Sequence, residues 1–186
     1  SFYDWGAYGV GPNIQVVAPS VFSSQTLPFT VDIQTANGCM VTETVEVVVH
    51  PLPEAEIQAP PAACEGEPVT VSASGGVQYD WSDGQSGAVI TIVPTTLPAE
   101  NIAVTVTNEF GCQSVASDFI LVNPPPAPTA EANPMIICPG EETTLTATGG
   151  VNYFWSNGEQ GESITVNPVA PTFYNVTVTD GNGCTA

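Results

Sequence analysis

The sequence predicts an all-β chain of tandem sandwich domains arranged as a rod. Three features point there: a repeat, short alternating segments between turn residues within each copy, and Pro-rich links between copies.

Self-comparison finds the repeat first. ACEGEPVTVSASGGVQYDWSDGQSG begins at Ala63 and ICPGEETTLTATGGVNYFWSNGEQG at Ile137, an offset of 74 residues (138 − 64). It pairs Cys64 with Cys138, Gly75 and Gly76 with Gly149 and Gly150, and Trp81 with Trp155. A partial copy opens the chain, where FYDWGAYG places Trp5 with the two later tryptophans. FTVDIQTANGC, IAVTVTNEFGC and YNVTVTDGNGC then align from Phe29, Ile102 and Tyr174. The expected domains are repeat 1 at 1–50 without its N-terminal part, repeat 2 at 54–123, and repeat 3 at 128–186 without its last strand. The reading expects a longer molecule that continues on both sides.

Each copy reads as strands. TVSAS, TLTAT, VQYDW and VNYFW alternate, with SDG and SNG as turns after the tryptophans. AVITIV or ESITV follows, then the VTVT strand, then a last strand such as TETVEVVV or SDFILV. Seven short strands in about 73 residues describe an immunoglobulin-like sandwich. Its core is expected to hold Trp5, Trp81 and Trp155 on strand C, with Tyr79, Tyr153 and Tyr174, and Val77 and Val151 on the same face as the strand C aromatics. The inward face of strand F is expected at 29/31/33, 102/104/106 and 174/176/178. The links HPLP at 50–53 and NPPPAP at 123–128 are short and stiffened by proline.

Composition excludes whole classes of function. The 186 residues include 19 acidic side chains, one histidine and neither lysine nor arginine. Nucleic-acid phosphates need cations to neutralise them, and an anionic membrane surface repels such a chain. With 42% apolar and only 10% charged residues, the chain can bury a core despite its acidity. No apolar run is long enough to span a bilayer. Catalysis lacks its usual parts: His50, the lone histidine, precedes Pro51 at a strand end, and no lysine or arginine stands by for covalent or oxyanion chemistry. Adjacent Glu141 and Glu142 on a turn do not make a glycosidase pair. Five cysteines without a CxxC motif suggest disulfides in an oxidising, extracellular setting.

The run C-x-G-E-x-x-T-L-T-A-x-G-G-x-x-Y-x-W-S-x-G, followed by Y-x-V-T-V-T-D-x-x-G-C, resembles the Ig-like or PKD-like repeats of very large Bacteroidetes surface proteins. These include gliding-motility-associated adhesins and other cargo of the type IX secretion system. Repeat 3 carries the pattern best, through Cys138, Gly140, Glu141, Tyr153, Trp155, Ser156, Gly158, Tyr174, Val176, Asp180, Gly183 and Cys184. Repeat 2 departs at Ile102 and Asn108, and repeat 1 at Gly6 and Phe29. The resemblance implies export, surface attachment and a repeated rod. It supplies no catalytic residue, because such modules serve adhesins, filaments and enzyme spacers alike.

The cysteines allow two schemes. Pairing within a repeat joins Cys64 to Cys112 and Cys138 to Cys184. Strands B and F of an immunoglobulin-like sandwich run in the same direction, however, which puts the A–B turn of Cys64 and the F–G turn of Cys112 at opposite ends of a domain ~35–45 Å long. A disulfide tolerates Cα separations of only about 4.4–6.8 Å. Pairing across the joint joins Cys64 to Cys184. Cys112 and Cys39 then pair with cysteines before residue 1, and Cys138 with one after residue 186. Counting does not separate the schemes; strand direction favours the second.

Other candidates are secondary. If the joint closes in this way, Glu65 and Glu67 approach Asp180, a candidate weak Ca²⁺ site; carboxylates in turns are ordinarily just solvated. Phe154 and Tyr8 break the alternation and are candidate exposed aromatics for sugar stacking. No other cofactor is expected. The sequence reads as a structural and adhesive extracellular surface protein, a stalk or filament, partnered by neighbouring repeats, other copies, and surface glycans or proteins. The rival readings are a spacer array of a secreted polysaccharide-degrading enzyme and a carbohydrate-binding module.

Overall fold

Val, Ile and Thr at every second position give segments that only a pleated strand can bury on one side. The computed structural model describes residues 1–186, and its regular secondary structure is all strand apart from one short 3₁₀ turn at Gly6–Tyr8. In repeat 1, β1 (Phe2–Asp4), β2 (Gln25–Gln34) and β3 (Met40–Val49) form one antiparallel sheet in that order. On β2, Phe29, Val31 and Ile33 alternate with exposed neighbours, and Val31 is buried.

Repeat 2 carries seven strands: β4 (Glu56–Gln58), β5 (Ala62–Cys64), β6 (Val69–Ser74), β7 (Gln78–Trp81), β8 (Val89–Ile92), β9 (Ala99–Thr107) and β10 (Gln113–Asn123). They sort into a β4-β6-β8 sheet and a β5-β10-β9-β7 sheet. This is the immunoglobulin-like arrangement, with A, B and E in one sheet and G, F and C in the other. The first strand is split by Pro60 and Pro61, so β5 leaves the sheet of β4 and runs parallel to β10, with Ala62 opposite Leu121 and Cys64 opposite Asn123.

Repeat 3 repeats the scheme with β11 (Thr129–Asn133), β12 (Thr143–Thr148) and β14 (Ser163–Val166) in one sheet, and β13 (Asn152–Trp155) and β15 (Val176–Thr179) in the other. Leu145, Ala147, Trp155, Ile164 and Val166 form its core, with Tyr153, Tyr174 and Val176 packed against them.

The chain divides into two compact units, Ser1–Glu56 with Ala73–Ala88 and Ala103–Ala116, and Ile57–Ser72 with Val89–Ile102 and Ser117–Ala186. In the first, Val31, Ala73, Trp81, Val104 and Val106 are buried. In the second, Val71, Ile90, Ile92, Ile102, Ile120 and Val122 of repeat 2 are buried, as are the core residues of repeat 3.

The tryptophans share one anchoring bond. The indole Nε1 of Trp5, Trp81 and Trp155 donates to the carbonyl of Gly11, Gly87 and Gly161 respectively, each at 2.9 Å. Trp81 and Trp155 are buried, while Trp5 is half-buried. Tyr79, Tyr153 and Tyr174 are also half-buried. The first two turn their hydroxyls back to the Gly76 and Gly150 carbonyls, at 2.7 and 2.9 Å, since a buried phenol needs a partner. Val77 and Val151 do not share the inward face: they are 70% and 62% exposed. Each lies one residue before its strand begins, in the turn after the glycine pair, where period-two alternation does not extend.

That glycine pair is required by close approach. A Cβ on Gly76 would lie 2.5 Å from the Thr107 carbonyl oxygen, and one on Gly150 would lie 2.6 Å from that of Thr179.

Candidate functional site: the cysteine turns

The three phrases ending in GC fold into the same turn. In each, the residue four before the cysteine donates its N–H to the cysteine carbonyl: Thr35 to Cys39 at 2.9 Å, Asn108 to Cys112 at 3.0 Å, Asp180 to Cys184 at 2.9 Å. The following glycine, Gly38, Gly111 or Gly183, sits at a φ of 81–87°, which a side chain rarely adopts. Two turns gain a side-chain lock. Asn108 Oδ1 accepts from the N–H of Phe110 and Cys112, both at 3.0 Å. Asp180 Oδ1 accepts from the N–H of Asn182 and Cys184, at 2.9 and 2.8 Å. Asn108, which departs from the aspartate of the repeat pattern, therefore performs the same task as Asp180.

The other two cysteines open a second kind of turn. Glu67 N–H donates to the Cys64 carbonyl at 3.2 Å and Gly66 N–H to the Pro94 carbonyl at 2.9 Å. In repeat 3, Glu141 N–H donates to Cys138 at 3.0 Å and Gly140 N–H to Pro168 at 2.9 Å. Glu65 N–H adds a bond to the Asn123 carbonyl at 2.8 Å, which fixes the turn to the end of β10. Pro139 holds the corresponding place in repeat 3 and has no N–H to offer.

Cys64 and Cys184 meet in a disulfide with 5.5 Å between their Cα atoms. Cys184 is buried, and its Sγ lies 3.9 Å from the Asn123 carbonyl oxygen. One backbone carbonyl thus stands against both the turn of Cys64 and the sulfur of Cys184. Cys112 is not bonded to Cys64, nor Cys138 to Cys184; Cys39, Cys112 and Cys138 are free thiols.

The link from repeat 1 to repeat 2 meets the same kind of turn. Asn108 Nδ2 donates to the Pro51 carbonyl at 2.9 Å, and Ser114 Oγ to the Pro53 carbonyl at 2.6 Å. His50 stacks flat on Phe110, with centroids 3.9 Å apart, and its Nδ1 is 2.8 Å from Ser24 Oγ. None of these contacts is visible in the sequence, although Asn108 and Asp180 share an offset of four residues from their cysteines. At both links the F–G turn of the later repeat holds the chain leaving the earlier one.

Glu65, Glu67 and Asp180 are not gathered into a cation-binding group; no cluster of three or more His, Cys, Asp or Glu side chains is present. Asp180 Oδ1 is engaged by its own turn. Phe154 and Tyr8 are exposed, and Tyr8 rests edge-on against Phe29 at 5.2 Å. No helix is long and apolar enough to cross a membrane.

No family model matches the chain, and no curated protein matches it in sequence. Among solved structures it is similar to murine CEACAM1b, at 14% identity over 69% of this chain and 93% of that one, with a TM-score of 0.33. It is similar also to a Ca²⁺-stabilised adhesin with which an Antarctic bacterium binds ice, at 15% identity over 87% of this chain and 54% of that one, with a TM-score of 0.36. A third is the human desmocollin-1 ectodomain, at 15% identity over 87% of this chain and 42% of that one, with a TM-score of 0.25. The chain thus spans about half the length of the second and less of the third. Likenesses at this level say nothing of what the chain binds; its own residues carry the functional reading.

Proposed function

We propose that this chain is a structural and adhesive part of an extracellular surface protein, a stalk or filament of immunoglobulin-like repeats at 1–50, 54–123 and 128–186. The observation that carries the reading is the Cys64–Cys184 bond, which ties the A–B turn of repeat 2 to the F–G turn of repeat 3 across 120 residues of sequence.

Such a bond changes how tension travels. When the chain is pulled from its ends, load passes from Cys64 directly to Cys184. Residues 65–183, with the strands of repeat 3 and most of repeat 2, lie outside the loaded path. Sheets that are not loaded need not resist force, so a stalk can be strong without a large core in each small domain. In a longer chain with further copies, Cys39, Cys112 and Cys138 would make the same bond with neighbouring repeats, and load would run along the links. The absence of lysine and arginine fits an exposed stalk, since trypsin-like proteases have no site to cut. The repeats partner each other and other copies; surface glycans or proteins are the class of target an adhesive stalk presents itself to.

Single-molecule pulling tests this. Reducing the bond should add about 400 Å of extensible chain, from a separation of 120 residues at ~3.3–3.6 Å each. Equal contour lengths in oxidised and reduced protein would contradict the reading.

A further inference from the structure

Repeats 2 and 3 share one groove on the same backbone and line it differently. In both, the strand that carries the tryptophan is met on its outer edge by the chain returning from the turn. Asp80 bridges Ser86, and Phe154 bridges Gln160. The Tyr79 carbonyl accepts from Gly87 N–H at 3.0 Å, and the Tyr153 carbonyl from Gly161 N–H at 3.1 Å. Around this meeting point lies a groove of about 470 Å³ in repeat 2 and about 540 Å³ in repeat 3.

Because the backbone is common to both, the side chains decide what each groove can hold. Gln78, Ser86 and Ala88 line the first; Asn152, Gln160 and Glu162 take the same places 74 residues on (152 − 78). In repeat 2 the next outward residue of β7 is Asp80, whose Oδ2 accepts from Gln78 Nε2 at 2.9 Å. In repeat 3 it is Phe154, 51% exposed. Asn152, Gln160 and Glu162 are exposed as well, and none is engaged by another side chain. Phe154 stands opposite Gln160 across the bridge and two residues from Asn152, so the ring and both amides share one face of β13. Repeat 2 pairs its polar groups with each other, whereas repeat 3 presents a bare ring beside two amides and a carboxylate.

We propose that this face of repeat 3 binds a neutral glycan, with Phe154 as the platform for a sugar ring and Asn152, Gln160 and Glu162 as the partners of its hydroxyls. A pyranose has an apolar face of C–H groups and a rim of hydroxyls that both donate and accept. An exposed aromatic ring matches the face. Amides that donate and accept, and a carboxylate that accepts, match the rim.

Charge narrows the ligand further. Glu162 lies in the groove and the chain has no lysine or arginine, so nothing neutralises a uronate or a sulfated sugar. An added peptide strand fits poorly, because Trp155 N–H is held by the Glu159 carbonyl and the Tyr153 carbonyl by Gly161, which leaves the outer edge of β13 little to pair with. The inference deepens the adhesive part of the proposed function and rests on that reading for the presence of the repeat outside the cell. The binding itself does not depend on the Cys64–Cys184 bond.

The test titrates the ¹⁵N-labelled chain with cellohexaose, maltohexaose, xylohexaose and mannohexaose, and with an oligogalacturonate as the anionic control. Side-chain amide signals are followed by NMR. The expected result is that a neutral oligosaccharide shifts the Asn152 and Gln160 amides and leaves that of Gln78 in place. F154D, which gives this position the aspartate of repeat 2, and N152A should each weaken binding about tenfold or more. Both positions are exposed, so the strand signal in circular dichroism should be unchanged. No shift with any of the neutral sugars at about 10 mM, an equal shift at Gln78, equal binding of the anionic control, or binding untouched by F154D would each overturn the proposal. The stalk reading is decided separately, by whether Cys64 is bonded to Cys184.

Discussion

Cys64 and Cys184 are separated by 120 residues of sequence and 5.5 Å of space. A bond that closes so long a loop removes much of the freedom of the unfolded chain. In the chain-entropy model this is worth about 4–5 kcal/mol, less any strain in the folded turn. C184S should therefore lower the melting temperature of the repeat 3 transition by several degrees. The reduced wild type should melt like the variant, and differential scanning calorimetry with and without dithiothreitol measures both.

Asp180 holds the turn that delivers Cys184. Its Oδ1 satisfies two backbone N–H groups, one of them that of Cys184 itself. D180A leaves both to water and should cost about 1–2 kcal/mol. D180N restores the acceptor, as Asn108 does in repeat 2, and should recover most of the loss. The rate at which dithiothreitol reduces the Cys64–Cys184 bond should rise in D180A and return near wild type in D180N.

The second glycine of each pair is fixed by space rather than by dihedral angle. G150A places its Cβ against the Thr179 carbonyl and the Val178 side chain, so either the turn or β15 must shift, at about 1–3 kcal/mol. G158A, at a φ of 89° but with open space around it, should cost only the left-handed penalty of about 1–2 kcal/mol. Urea midpoints for the two variants separate these causes.

Glu100 adds a small dependence on pH. Burial raises its pKa, but hydrogen bonds from the Thr96 side chain and from the N–H groups of Thr95 and Thr96 outweigh it and hold the carboxyl below its ordinary value. A carboxyl with a lowered folded pKa contributes stability above its unfolded pKa and loses it as pH falls through the folded value. E100Q should thus melt below wild type near pH 7, and the difference should shrink as pH falls below the ordinary glutamate value of about 4.3.

Much of the strand layout can be read from alternation alone. β6, β8, β9 and their counterparts in repeat 3 follow period-two burial, and Trp81 and Trp155 lie where the alternation puts them. The reading fails where alternation stops. Val77 and Val151 look like strand residues but sit in the glycine turn. β5 has no alternating signal, because it is made by two prolines and the edge of β10 rather than by its own pattern. The turns were visible as phrases, yet their purpose was not. That Asn108 and Asp180 lock a turn, and that His50 lies flat on Phe110, depends on groups brought together from distant places in the chain.

The most direct test of the central claim is a disulfide map. The unreduced protein is cleaved after glutamate and its linked peptides are weighed. The account expects peptide 57–65 joined to peptide 163–186, which is the brace between repeats 2 and 3. Peptide 57–65 joined to 110–131 would make each repeat a closed unit of its own, and the braced stalk would be wrong.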